Sequence, residues 1–114
     1  MPLIPIRDEG TLQRAIESAK AVIYKHSSRC WVSMMAEREV HAFASEHPDL
    51  PVYLIDVIGG RRLSQSAASA LSVPHASPQA IMVVEGEPVW WASHGSVRAK
   101  ALSKTVAHLG DATA

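Results

Sequence analysis

The chain has 114 residues, 47% of them hydrophobic, and its 11 basic and 11 acidic side chains give a formal net charge of +0. This length suits one domain, here residues 1–114, and leaves little room for a second. The balanced charge argues against general electrostatic binding to nucleic acid or to an anionic membrane. No apolar run reaches the roughly 20 residues of a membrane span and the first residues lack the features of a signal peptide, so we expect a cytoplasmic protein.

The first part of the chain predicts a short strand, a helix and a buried strand. Leu3, Ile4 and Ile6, with prolines at positions 2 and 5, can form a short edge strand, because proline removes ladder donors. Asp8 is a good N-cap for a helix that runs to about Ala19. Residues 21–24 carry β-branched side chains and no charge, which predicts a buried strand. A polar loop is expected to follow over residues 25–29.

The longest helix is predicted from Cys30 or Trp31 to Glu46. Its large apolar side chains lie roughly along one side, and a stripe of Met and aromatic residues at this spacing is more often core than a ligand site. We therefore expect the stripe to be buried. It consists of Trp31, Met34, Met35, Val40, Phe43 and Ala44.

The second half of the chain predicts three more strands and two more helices. In order these are a strand over 51–58, a helix over 61–71, a loop over 73–79, a strand over 80–84, a hairpin turn at 86–88, a strand over 89–92 and a helix capped by Ser96, with residues 110–114 as a frayed tail. The fold class is therefore α/β. A parallel βαβ half and an antiparallel ββα half share one mixed sheet with helices on both faces, which is the thioredoxin-like architecture.

The chain has a single cysteine, Cys30. One cysteine forbids an internal disulfide and excludes a cysteine-rich zinc site. A lone cysteine is usually a small buried hydrophobe, but serines and the cation of Arg29 surround this one. The start of a helix favours thiolate over thiol, because its first N–H groups have no intrahelical partner. Ser33 follows one turn later, which gives the Cys-x-x-Ser pattern of a dithiol redox site whose second sulfur is replaced by oxygen.

Four clusters of residues together resemble the monothiol bacilliredoxin (YtxJ-type) family. They are Lys25-His26-Ser27-Ser28-Arg29-Cys30 with Ser33, Tyr53-Leu54-Ile55-Asp56-Val57-Ile58, Val73-Pro74-His75-Ala76-Ser77-Pro78-Gln79, and Trp90-Trp91-Ala92-Ser93-His94. The resemblance implies a thioredoxin-like fold and a cysteine that exchanges with mixed disulfides between protein thiols and bacillithiol, a cytosolic low-molecular-weight thiol. Bacillithiol is then a co-substrate, and no other cofactor is implied.

The resemblance also implies roles for individual residues. Cys30 is the nucleophile and Pro78 the cis-proline, with Ser77 before it facing the sulfur, and their backbone pairs with a bound thiol or peptide. The family often has threonine before and proline after the cysteine, whereas this chain has Arg29 and Trp31. Arg29 can strengthen thiolate stabilisation or select an anionic partner, and Trp31 can shield the sulfur or offer a docking surface.

Three polar side chains have open roles. His26 and His75 are expected in loops beside Cys30, where either can assist proton transfer or remain a solvated loop histidine. The hydroxyl of Ser33 can donate to the thiolate or satisfy the first helical turn. The six histidines show no zinc-motif spacing, so no metal site is expected.

The leading functional hypothesis is a monothiol oxidoreductase that takes bacillithiol, or a similar small thiol, from bacillithiolated proteins and works as a monomer. One alternative is a non-catalytic thioredoxin-like thiol sensor or binding module. Another is an iron–sulfur carrier resembling the monothiol glutaredoxins, although Trp31 and Val32 crowd the space that a cluster would need.

Overall fold

The computed structural model describes residues 3–28 and 31–113. Ten elements follow one another in the order that the sequence predicts, with an added 3₁₀ turn before the last helix. They are β1 (Ile4–Pro5), α1 (Glu9–Glu17), β2 (Lys20–His26), α2 (Trp31–Glu46), β3 (Val52–Asp56), α3 (Arg61–Leu71), β4 (Gln79–Val84), β5 (Glu87–Ser93), the 3₁₀ turn (His94–Ser96) and α4 (Ala99–Thr113).

The five strands form one mixed sheet in the order β1-β3-β2-β4-β5. β3 pairs in parallel with both β1 and β2, whereas β4 runs antiparallel to β2 and to β5. Lys25 in β2 stands opposite Gln79 in β4, and β2 ends one residue later. The connection from β2 to α2 and the loop before β4 therefore meet at the same edge of the sheet. The predicted fold class is confirmed.

Each face of the sheet carries its own hydrophobic core. The core under α1 and α3 is built around Ile23, Ile55 and Ile81, while Tyr24 and Phe43 belong to the core under α2 and α4. Ile23 and Tyr24 are adjacent in β2 and point to opposite faces, as the period of a strand requires. β2 is accordingly buried on both sides, which explains its near-continuous apolar sequence.

The helix caps show where local sequence decided the structure. Asp8 caps α1 as predicted, since its Oδ1 accepts from the backbone N–H of Thr11 at 2.7 Å. Hydrogen bonds from the backbone N–H and from the side-chain hydroxyl of Thr11 hold the pKa of the Asp8 carboxyl below its usual value. α4 departs from the prediction, because Ser96 lies in the 3₁₀ turn and the N–H of Ala99 is capped instead by Oε1 of Glu39 at 2.9 Å. A carboxylate that is distant in sequence replaces the local serine.

The hairpin between β4 and β5 is tighter than the sequence predicts. Its turn consists of Glu85 and Gly86, both with positive φ (49° and 84°), so Glu87 and Pro88 belong to β5. Two residues of positive φ match the twist of the flanking strands. Within the described residues, no helix is long and apolar enough to cross a membrane.

Two predictions about burial are wrong. Lys25 does not begin a polar loop: it is in β2, as is His26, and its side chain is wholly buried. Trp31, Met34 and Met35 are not core, since 70%, 57% and 55% of their surfaces are exposed. The core side of α2 is formed by Ser33, Ala36, Val40, Phe43 and Ala44, and the three exposed residues lie on the opposite side of the helix.

Candidate active site at the start of α2

Two of the predicted site residues, Arg29 and Cys30, lie outside the described residues. Their place in the sequence is between the end of β2 and the first residue of α2. The surrounding side chains therefore define the site, and they come from β2, α2, the loop before β4 and the segment after β5.

Ser33 joins the β2–α2 connection to the first turn of α2. Its buried Oγ accepts from the backbone N–H of Ser27 at 3.2 Å, and its carbonyl oxygen accepts from the hydroxyl of Tyr24 at 2.9 Å. Both contacts hold the connection against the helix. The hydroxyl of Ser33 thus has a structural partner, and its proton remains available for a second hydrogen bond.

His26 lies at the end of β2, between a phenol and a carboxylate. Its Nδ1 is 3.1 Å from the hydroxyl oxygen of Tyr24, and its Nε2 is 3.5 Å from Oε2 of Glu37. While Tyr24 donates its only proton to Ser33, Nδ1 must donate to the phenolic oxygen. A second proton on Nε2 then forms an ion pair with Glu37. All three contacts are satisfied at once when both ring nitrogens of His26 carry protons.

Glu37 was not singled out from the sequence, and it links two histidines. Its Oε1 is 3.6 Å from Nε2 of His41, one helical turn away, while Oε2 contacts His26. The spacing of Glu37 and His41 on a helix is a signal that the sequence does contain. Its proximity to His26 arises only when α2 packs on β2. Among the residues that the structure describes, no group of three side chains could hold a metal ion.

The loop before β4 is anchored at several points. The Ser77–Pro78 peptide bond is cis, and the carbonyl oxygen of Pro78 accepts from the N–H of His94 at 2.8 Å. His94 has positive φ (55°), an uncommon conformation for a residue with a side chain. The hydroxyl of Ser77 is buried without a hydrogen-bond partner among the described residues. This loop thus fixes the segment after β5 beside the site.

His75 lies on the other face of the sheet from His26. Its ring is exposed, and its Nδ1 is 3.2 Å from Nζ of Lys25. The structure therefore does not bring the two predicted histidines together. It pairs each with a residue that the sequence analysis did not select, namely Glu37 for His26 and Lys25 for His75.

The exposed start of α2 borders a groove of about 390 Å³. Trp31 and Met35 form one wall, and His94 and Arg98 belong to the opposite wall. Glu39 also lines the groove, but its carboxylate is engaged by the N-terminus of α4. An apolar wall with basic groups opposite it can receive a ligand of mixed polarity.

Comparisons with known proteins agree with this geometry. The family described as monothiol bacilliredoxin BrxC matches residues 4–102. A solved structure described as a candidate oxidoreductase with a thioredoxin fold is 31% identical, with a TM-score of 0.83 over 90% of this chain and 91% of that one.

Thioredoxins share the fold at lower identity. Mitochondrial thioredoxin 3 from Saccharomyces cerevisiae is 16% identical, with a TM-score of 0.75 over 93% of this chain and 94% of its own. Thioredoxin from Trypanosoma brucei brucei is 12% identical, with a TM-score of 0.80 over 96% and 92%. The family match and the 31% identical structure support a thiol oxidoreductase. The chain has the thioredoxin fold and belongs to the monothiol bacilliredoxin family.

Proposed function

We propose that this protein is a monothiol thiol–disulfide oxidoreductase that removes bacillithiol, or a similar low-molecular-weight thiol, from mixed disulfides on other proteins. The observation that carries the proposal is the position of its only cysteine, which stands in the sequence between the last residue of β2 and the first residue of α2. At a helix start, N–H groups without intrahelical partners favour the thiolate form, which is the nucleophile in thiol–disulfide exchange.

The reaction needs two exchanges because no second cysteine is present. In the first, the Cys30 thiolate attacks the small-thiol sulfur of a protein mixed disulfide; a new S–S bond forms and the substrate protein leaves as a thiolate, which takes up a proton. In the second, a free small thiolate attacks the adduct, which releases a small-molecule disulfide and restores the Cys30 thiolate. Over both steps the protein sulfur is reduced and one free small thiol is oxidised, and that thiol leaves in a disulfide with the small thiol that was taken from the protein.

His26 is the described side chain best arranged to manage the proton. Its contacts with Tyr24 and Glu37 are all satisfied when both ring nitrogens are protonated. In this doubly protonated state, His26 can supply a proton to the departing protein thiolate. Ser33 anchors the β2–α2 connection by accepting the hydrogen bond from Ser27. Its own hydroxyl proton can be directed to the sulfur of Cys30.

The substrate side of the site is proposed to lie along the groove and the proline loop. Trp31 is the exposed apolar surface nearest Cys30 in the sequence and offers a docking face for the modified protein. The backbone of Ser77 and Pro78 pairs with the bound disulfide as an added strand would. The positive charge of Arg29 favours an anionic small thiol, and His75 contacts the same small thiol from the side opposite Arg29.

The decisive experiment follows a bacillithiolated protein during incubation with excess free bacillithiol. We expect the wild-type protein to release many equivalents of reduced substrate and to carry a Cys30–bacillithiol adduct, detectable by mass spectrometry, when free thiol is withheld. Cys30→Ser is expected to form no adduct and to release nothing above the uncatalysed rate. Full activity of Cys30→Ser would disprove the proposal.

The same assay separates catalysis from simple trapping. A sensor or binding module would stop after one equivalent per protein even with free thiol present. Absence of visible absorption after anaerobic reconstitution with iron and sulfide would dismiss an iron–sulfur carrier. Because bacillithiol is a cytosolic thiol, we also propose a cytoplasmic location, and a monomer as the active form.

A further inference from the structure

A buried lysine lies behind the proline loop. Lys25 is the penultimate residue of β2, and none of its surface is exposed to solvent. Lysine is almost never fully buried without a partner. Among the described residues, its hydrogen-bond partner is Nδ1 of His75, at 3.2 Å. Desolvation by burial lowers the pKa of Lys25 to about 8, so at neutral pH the side chain is an ammonium.

The chemistry of this contact fixes the protonation of the histidine ring. An ammonium only donates hydrogen bonds, so Nδ1 of His75 must accept through its lone pair. Desolvation, together with the charges of Lys25 and Arg61, lowers the pKa of His75, which keeps the ring neutral. A neutral ring whose Nδ1 accepts carries its proton on Nε2. The Nε2–H group lies on the side of the ring away from Lys25.

The backbone around His75 is held in place on both sides. The carbonyl oxygen of Pro74 accepts from Nε2 of Gln79 at 3.0 Å, and that of Pro78 accepts from the N–H of His94 at 2.8 Å. Gln79 is also the residue opposite Lys25 in the sheet. The exposed ring of His75 is thus presented on a fixed loop that ends at the Ser77–Pro78 peptide.

We propose that Lys25 is a positioning residue that orients His75 and fixes its tautomer, so that Nε2–H is presented as a hydrogen-bond donor to a carboxylate of the small-thiol half of the substrate. The cations of Lys25 and Arg61 near His75 favour an anionic acceptor there. The substrate in this inference rests on the proposed function, whereas the tautomer of the His75 ring does not.

Few other charged groups compete with Lys25 for the role of orienting His75. Arg61 is the charged group that α3 contributes near His75. Opposite Lys25, β4 contributes the uncharged Gln79 and β3 the apolar Ile55. His26 and Glu37 lie on the other face of the sheet with Tyr24.

The first test measures the ring itself by ¹⁵N NMR of histidine-labelled protein. In the wild type at pH 7.4, a pH chosen to lie roughly between the ordinary pKa of histidine and that of Lys25, we expect His75 to show a protonated Nε2 and an unprotonated Nδ1. In Lys25→Met we expect a mixture of tautomers and a higher pKa for His75, because one of the charges that lowers it is gone. Lys20→Met, at the other end of β2, should change neither. A protonated Nδ1 in the wild type would overturn the inference, whether or not the variant folds.

The second test compares two substrates with the same protein half. One carries bacillithiol, which has carboxylates, and the other carries cysteamine, which has none. We expect Lys25→Met to raise KM for the first by about fivefold, somewhat less than the loss of a full hydrogen bond to a charged group, with kcat nearly unchanged and no effect on the second. In His75→Gln, whose amide donates without a tautomer to fix, adding Lys25→Met should cause no further loss.

The outcomes distinguish this inference from the proposed function. If Lys25→Met folds and has the wild-type KM for both substrates, the positioning role is wrong while the oxidoreductase remains. If Cys30→Ser keeps full activity, the oxidoreductase proposal fails and the substrate role falls with it. The NMR result on the tautomer would then still stand by itself.

Discussion

The hydroxyl of Tyr24 donates to the carbonyl oxygen of Ser33 over 2.9 Å, which ties the buried centre of β2 to the first turn of α2. The same phenolic oxygen lies 3.1 Å from Nδ1 of His26. β2 carries no carboxylate that could accept a proton from the active-site thiol. A neutral phenol lies there instead, and it connects the helix start to a histidine.

Replacing Tyr24 by Phe tests this connection. The variant keeps the ring but leaves a buried carbonyl and a histidine nitrogen without their partner. We expect the free energy of unfolding to fall by about 1–2 kcal/mol, measured by urea denaturation, and de-thiolation to slow. Tyr53→Phe is the matched control, because within residues 3–28 and 31–113 no hydrogen bond involves its hydroxyl. Equal stability of Tyr24→Phe and the wild type would contradict this account.

Replacing Glu37 by Gln tests the proton on His26. The amide keeps the size of the side chain but removes the charge that pairs with Nε2 of the ring. We expect turnover to slow by about tenfold, the lower end for loss of a partner that orients a functional histidine. Glu46→Gln removes the same charge at the other end of α2 and should have wild-type kinetics. A Glu37→Gln variant as fast as that control would exclude a role for the pair.

The two exposed tryptophans allow a paired test of docking. Trp31 is 70% exposed beside the groove, and Trp91 is 45% exposed on β5. Since little of Trp31 is buried, Trp31→Ala should change stability by no more than about 0.5 kcal/mol. Its KM for a modified protein should nevertheless rise several-fold, whereas Trp91→Ala should keep the wild-type KM. An unchanged KM in both variants would place the docking face elsewhere.

The buried ammonium of Lys25 predicts how stability depends on pH. Burial lowers its pKa from 10.5 to about 8. Between these values the unfolded chain binds the proton and the folded chain does not, so stability rises as pH increases through that window. Below about pH 8 both states are protonated and the contribution is constant. Urea midpoints of the wild type should therefore rise relative to those of Lys25→Met from pH 8 to 10.5; parallel curves would refute the shift.

Glycine is required at only one of two adjacent positions before α3. A Cβ on Gly60 would lie 2.9 Å from the backbone oxygen of Asp56, whereas one on Gly59 would meet nothing within 4 Å. The close contact involves backbone, which cannot move aside cheaply. We expect Gly60→Ala to lose about 1–3 kcal/mol of stability and Gly59→Ala to lose almost none, as measured by thermal and urea unfolding.

Local patterns were sufficient for the order of the elements. Apolar periodicity gave four helices and five strands in sequence, Asp8 marked the start of α1, and the one cysteine lay between a strand and a helix. These features depend on residues within one or two turns of each other. They could therefore be predicted before any packing was known.

Only the tertiary structure decided which side chains are buried and which of them contact one another. The stripe on α2 was predicted to be core, yet Met34 and Met35 are exposed because the sheet covers the face of the helix that carries Ser33, Ala36 and Val40. Lys25 follows an apolar run and was assigned to a loop, but pairing with β3 and β4 extends β2 and buries it. Burial and contact depend on neighbours distant in the chain, so spacing within one segment could not determine them.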